Sequence, residues 1–211
     1  MDEVASAARD AGRDPGSVTV VAVSKTKSPE EVMGVYEQGH RDFGENRAAE
    51  LAEKAGRLPT DIRWHFVGAL QSNKVRLVRG VTHLLHSVDR ESLGGAWVKG
   101  PGLPPPVLVQ VDLAGEEQKS GTTPERAGEL VENLVSLGLE VRGLMAIPPA
   151  PERPEDSRPY FAALRRLRDQ LGSAHPRLTE LSMGMTDDFG VAISEGASII
   201  RVGRAIFGDR T

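Results

Sequence analysis

Eight times along this 211-residue chain a short aliphatic run gives way to a helical pattern, and the helices repeatedly stop at glycine. Such alternation implies parallel strands joined by helical crossovers, because a parallel pair needs a long connection and a helix supplies it. The first run, Val18-Thr19-Val20-Val21-Ala22-Val23-Ser24, is rich in β-branched residues and predicts a strand buried on both faces. Ser28-Pro29-Glu30-Glu31 follows, with a capping serine, proline at the first helical position and glutamate at the third. That helix is predicted to reach about Gln38, with Gly39 ending it. The series continues with strands near 41–44, 64–67, 83–87, 107–111, 140–145, 178–182 and 198–202. Helices are predicted between them near 47–55, 73–79, 90–98, 123–137, 160–171 and 187–195. The charged, proline-laden stretch 148–159 predicts an exposed loop. Eight units in this length fit an α/β fold of the closed (β/α)8 (TIM) barrel type, as a single domain over 1–211, with an open doubly wound sheet as runner-up.

Composition narrows the function classes. Hydrophobic content of 39% and charged content of 27% are ordinary for a globular protein. A net charge of −4 argues against a nucleic-acid binder. No stretch approaches the ~20 apolar residues of a membrane span, and no basic-then-apolar leader opens the chain, so a cytoplasmic protein is expected. With no cysteine there is no disulfide, thiolate metal site or cysteine nucleophile. The five histidines show no metal-site motif, and His83 and His86 are expected on opposite faces of one strand.

Lys25 stands where the first strand opens into a loop. Beside low-dielectric core, desolvation disfavours an ammonium and makes the amine a better nucleophile towards a carbonyl. Alone it reads as easily as a strand-ending lysine that snorkels to solvent. In a barrel, however, the first and eighth strands are neighbours and functional groups gather at the carboxyl ends. Lys25 is then beside Arg201-Val202-Gly203-Arg204, with Leu181-Ser182-Met183-Gly184 ending the seventh strand. Barrels often bind phosphate with the loops after strands seven and eight. Ser182 offers a hydroxyl there, and the amides of Gly203 and Arg204 can donate to phosphate oxygens. An amine beside a phosphate cradle suggests a phosphorylated aldehyde, of which pyridoxal 5′-phosphate (PLP) is the obvious one. Arg201 suits its pyridine nitrogen: a guanidinium only donates, and would leave that nitrogen unprotonated.

Several motifs then resemble the pyridoxal phosphate homeostasis protein family. They are Ala22-Val23-Ser24-Lys25-Thr26-Lys27, Phe43-Gly44-Glu45-Asn46, the stretch from Trp64-His65-Phe66 to Asn73-Lys74, Gly143-Leu144-Met145-Ala146-Ile147-Pro148, Leu181-Ser182-Met183-Gly184-Met185-Thr186-Asp187-Asp188, and the run from Arg201 to Gly208. The likeness covers nearly the whole chain. It implies a fold like the N-terminal barrel domain of alanine racemase, without that enzyme's second, β-rich domain. It further implies PLP as cofactor, Lys25 as its Schiff-base lysine, Ser182, Gly203 and Arg204 at the phosphate, and Arg201 at the ring nitrogen. Asn46 and Met145 would line the cofactor. Arg204 stands where many members have threonine or serine, and Ala69 where many have proline. The segment before the first strand is short, which predicts a trimmed N-terminal helix.

The function this implies is a monomeric carrier that binds and buffers PLP, maintains vitamin B6 and amino-acid homeostasis, and donates to apo PLP-dependent enzymes, with no catalytic residue and no metal. Racemisation needs a base on each face of a planar intermediate. The chain has only Tyr36 and Tyr160, and both read as packing residues with a satisfied hydroxyl. The alternative is a single-domain PLP-dependent racemase or lyase, and a third reading is a Schiff-base aldolase without PLP. Lys119, in the loop after the fifth strand, is a candidate second amine, though a solvated loop lysine explains it as well.

Overall fold

A computed structural model describes residues 2–115 and 120–208. In chain order its elements are α1 (Asp2–Asp10), β1 (Thr19–Val23), α2 (Pro29–Glu37), β2 (Asp42–Glu45), α3 (Ala48–Arg57) and β3 (Arg63–Phe66). Next come α4 (Val75–Val78), β4 (Thr82–Val88), α5 (Glu91–Val98), β5 (Val107–Gln110), α6 (Pro124–Ser136) and β6 (Val141–Met145). The last are α7 (Arg158–Gly172), β7 (Glu180–Ser182), α8 (Phe189–Ser194), β8 (Ile199–Val202) and α9 (Arg204–Phe207). All strand pairs are parallel, in the order β1 to β8. The sheet closes where β1 meets β8, from Thr19↔Ile199 to Ala22↔Val202. The (β/α)8 barrel is therefore the fold, and the doubly wound alternative is set aside.

Local chemistry fixes the start of α2. Ser28 accepts from the Glu31 amide while the Glu31 carboxylate accepts from the Ser28 amide, with Pro29 opening α2. The short segment before β1 forms the nine-residue α1, which packs on α8, and Arg13 ties it there by donating to Ile193 O and Ala197 O. Two segments depart from the sequence reading. The helix expected over 73–79 is a 3-10 turn at Ser72–Lys74 followed by the single-turn α4. The proline-rich loop is not exposed throughout: Pro154–Ser157 is a 3-10 turn, and buried Ser157 donates to Asp188 at 2.7 Å.

Two apolar layers result. The main core lies between strands and helices and includes Leu51, Leu93, Trp97, Leu134 and Phe161 from the helices. A smaller cluster, Val21, Leu84, Leu108, Met145 and Ile199, fills part of the barrel interior. The rest of that interior is polar, with Asp42, His65, His86, Gln110, Ser182 and Arg201 on strands β2, β3, β4, β5, β7 and β8. His83 is exposed whereas His86 is fully buried, as their odd spacing predicted.

Gly143 permits the closest strand approach: a Cβ there would lie 1.9 Å from Glu180 O on β7. Gly143→Ala is therefore expected to destabilise the barrel by about 1–3 kcal/mol, the range for overpacked sites. For a chain of this size that lowers Tm by about 2–4 °C per kcal/mol, read by thermal melting. An unchanged Tm would show that β6 and β7 separate freely.

Candidate functional site

The carboxyl rim of the barrel holds a cavity of about 670 Å³ whose lining includes Lys25, Asn46, Arg201, Gly203 and Arg204. Lys25 follows β1, and its neighbours on both sides are pinned. Ser24 is fully buried; its hydroxyl donates to Glu45 Oε1 at 2.7 Å and its carbonyl accepts from Lys54 Nζ at 2.7 Å. Thr26 has φ +66°, a left-handed conformation that non-glycine residues adopt at a cost of about 1–2 kcal/mol. It is held there by its amide donating to Glu50 Oε2 at 3.0 Å. Helix α3 supplies Glu50 and Lys54, so the backbone around Lys25 is set by the crossover after β2.

Under this turn lies a buried ion pair, with Lys54 Nζ 2.5 Å from Glu45 Oε1. Burial pushes the Glu45 carboxyl above its ordinary value despite Lys54 and Ser24, and Glu45 Oε2 is buried without a hydrogen-bond partner. Asn46 continues β2 into the cavity wall, and its Oδ1 is likewise buried and without a partner. The β2 and β3 ends meet there because Gly68 lacks a Cβ, which would sit 2.3 Å from Asn46 O.

On the other side, β8 brings Arg201 to the cavity floor. Its Nη1 donates to Ser182 Oγ at 2.7 Å and its Nη2 to Ala146 O at 2.9 Å. Burial lowers the guanidinium to about 10, against the attraction of Asp188, so it remains a cation at neutral pH. Gly203 and Arg204 carry the chain from β8 into α9. The Arg204 side chain donates to Asp187 across the cavity mouth, and both are more than half exposed.

Two residues named from the sequence do not reach this wall. Met145 is fully buried in the interior apolar cluster. The Ser182 hydroxyl is fully buried and committed to Arg201 and His86, so it is beneath the cavity rather than among its lining groups. Lys119 lies outside the described residues. Sequence reasoning missed Lys27, which lines the cavity and ties α2 to α9 through Glu31 at 3.1 Å and Phe207 O at 3.2 Å. It also missed the Glu45–Lys54 pair, whose members sit on different elements with no periodicity to link them.

The family model for the alanine racemase N-terminal domain matches residues 5–211. A pyridoxal phosphate homeostasis protein of Aquifex aeolicus is 42% identical over 216 residues, spanning 100% of this chain and 95% of the relative. The chain belongs to the pyridoxal phosphate homeostasis protein family. A second member, from Pseudomonas aeruginosa, is 43% identical and is matched over 98% of this chain and 91% of its own length. PipY of Synechococcus elongatus PCC7942, solved with PLP bound, superposes with a TM-score of 0.81 at 34% identity, covering 97% of this chain and 100% of PipY. The family likeness thus extends through every strand and through the cavity that Lys25 and Arg201 both line.

The Lys54 ammonium offsets the buried Glu45 charge, so Lys54→Met leaves that carboxylate alone. The folded state then holds the Glu45 proton more tightly than the unfolded chain does. Stability from this group is full below the ordinary carboxyl range and is lost as pH rises through the raised value. Lys54→Met is expected to lose about 3–5 kcal/mol at pH 7 and to recover part of it near pH 5, read by urea unfolding at both pH values. A loss that deepens on acidification would contradict this account.

Proposed function

We propose that this chain binds PLP in the rim cavity and carries or buffers it, serving vitamin B6 and amino-acid homeostasis without robust catalysis of its own. The observation that carries the reading is the cavity wall that sets Lys25 beside Arg201, Gly203 and Arg204. Its donor set suits the cofactor: an amine, a permanent cation and a glycine-led helix start. The orphaned Asn46 Oδ1 is a polar atom that a bound ligand can satisfy. The cavity is also within the ~300–1,000 Å³ range of small-molecule sites.

When bound, PLP supplies an aldehyde for an amine to condense with, a ring that withdraws electrons and a phosphate dianion. In this reading Lys25 is the covalent anchor. Arg201 donates to the ring nitrogen and keeps it unprotonated, which weakens electron withdrawal. The amides of Gly203 and Arg204 hold the phosphate, and the Arg204 guanidinium adds charge at the mouth, where Asp187 already holds it. Asn46 borders the ligand from the β2 side, while Met145 and Ser182 support the floor from below.

The carrier reading is favoured over a racemase by the tyrosines. Tyr36 donates to Asp61 at 2.8 Å and stacks under Arg41, 3.8 Å from guanidinium to ring centre. Neither Tyr36 nor Tyr160 is among the cavity-lining residues, so neither supplies a second base there. The proposal includes a monomer in the cytoplasm with apo PLP-dependent enzymes as acceptors. Among the described residues no helix is long and apolar enough to cross a membrane.

Loaded with PLP and freed of excess, the protein should show a visible absorbance band that Lys25→Ala abolishes; a persistent band would remove Lys25 from the site. Incubated with an amino-acid pool in deuterated water, it should exchange α-protons no faster than free PLP, read by proton NMR. Exchange well above free PLP and above Lys25→Ala would establish the racemase or lyase reading instead.

A further inference from the structure

Arg201 is the last member of a hydrogen-bonded chain that crosses the barrel interior. Asp42 Oδ1 lies 3.1 Å from His65 Nε2, and His65 Nδ1 lies 2.9 Å from His86 Nε2. His86 Nδ1 is 2.8 Å from Ser182 Oγ, which accepts from Arg201 Nη1 at 2.7 Å. The chain starts at the first residue of β2, at the amino rim, and ends at the cavity floor on β8. His65, His86, Ser182 and Arg201 are all buried.

The chemistry of the two ends gives the chain one direction. Arg201 can only donate. Burial raises the Asp42 carboxyl, but hydrogen bonds from Arg63 and His65 outweigh it and hold the group well below the usual range, so Asp42 only accepts. Burial disfavours the charged form of both imidazoles: His65 is lowered despite Asp42, and His86 is lowered well below its ordinary value, with the Arg201 charge adding to the effect. Each ring then carries one proton. His65 must place its proton on Nε2, facing Asp42, which leaves Nδ1 to accept from His86 Nε2–H. His86 Nδ1 is left to accept the Ser182 hydroxyl proton, and Ser182 Oγ accepts from Arg201. The opposite order would set a lone pair of His65 against a carboxylate and point His86 Nδ1–H at Ser182, whose own proton would lose its acceptor in a buried site.

We propose that Asp42, His65 and His86 are positioning residues for the cavity: they hold Ser182 as an obligate acceptor toward Arg201 and so fix the guanidinium beneath the bound ring. This rests on the reading that Arg201 meets the PLP ring nitrogen. The barrel thereby keeps that nitrogen unprotonated by means of a carboxylate at its opposite end. A group at the amino rim, remote from the cavity in every strand, sets the electronic state of the ligand. Ser182 acts through Arg201, which gives its buried hydroxyl a role beneath the cavity.

The test uses the PLP-loaded protein with ring-¹⁵N-labelled cofactor, reading the nitrogen resonance and the rate of PLP release. Arg201→Leu sets the direction of the resonance shift for a lost guanidinium. His86→Leu and Ser182→Ala should shift the resonance the same way and speed release about tenfold, as expected when a charge-assisted hydrogen bond is lost. His86→Asn presents an amide oxygen where Nδ1 stood, and should restore both readouts while the contact to His65 stays broken. Thermal melting of each variant verifies folding, and Asp42→Asn at the far rim replaces His86→Leu if that variant does not fold. Folded His86→Leu or Asp42→Asn protein with wild-type resonance and release, alongside a shifted Arg201→Leu, would overturn the inference. An unshifted Arg201→Leu would instead show that Arg201 does not face the ring nitrogen, and the underlying reading would fall with it.

Discussion

The pairing of β1 with β8 is the contact on which everything at the rim depends. Its register, Thr19↔Ile199 through Ala22↔Val202, closes the sheet and sets the residues that follow β1 beside those that follow β8. Lys25 and Arg201 are 176 positions apart in the chain, yet that register makes them line one cavity. An open sheet would leave them on opposite edges. Closure also buries His65, His86, Ser182 and Arg201 in the barrel interior, where a polar group without a partner is costly.

Two buried polar systems, one between β2 and α3 and one inside the barrel, support the rim in different ways. Glu45 and Lys54 form a compact ion pair that secures Ser24 and, through Glu50, the strained Thr26. The cost of desolvating both charges is offset by hydrogen bonds to the same backbone turn that presents Lys25. Asp42 and Arg201 are separated charges joined by neutral rings and a hydroxyl. The first system holds the amine side of the cavity and the second its floor. Glu45, Lys54, His65, His86 and Ser182 all stand outside the cavity lining, so this support takes up none of the cavity.

The strands were legible because β-branched and aliphatic runs have few alternatives to a buried parallel strand, as in 18–24 and 107–111. The α2 start was legible because Ser28, Pro29 and Glu31 act within one turn. The short α4 and the turn at Pro154–Ser157 were not, because tertiary contacts and not propensity decide such short segments; the buried Ser157–Asp188 bond is one example. Lys25, Asn46, Gly203 and Arg204 were legible as cavity-lining residues because each follows a strand end, and Arg201 because it lies near the carboxyl end of β8, where a barrel gathers its functional groups. Met145 and Ser182 are the last residues of their strands, and one residue of strand separates the cavity lining from the layer beneath it.

What the sequence determined by itself is the number, order and parallel sense of the strands, and hence the meeting of the first with the eighth. These follow from local propensity and from the length of connection a parallel pair requires. Which polar side chains share the interior was decided only in three dimensions. His65, His86 and Ser182 are 21 and 96 residues apart along the chain, and no periodicity relates them. Their hydrogen bonds exist because strand tilt and register in a closed barrel bring β3, β4 and β7 within reach of one another across its axis.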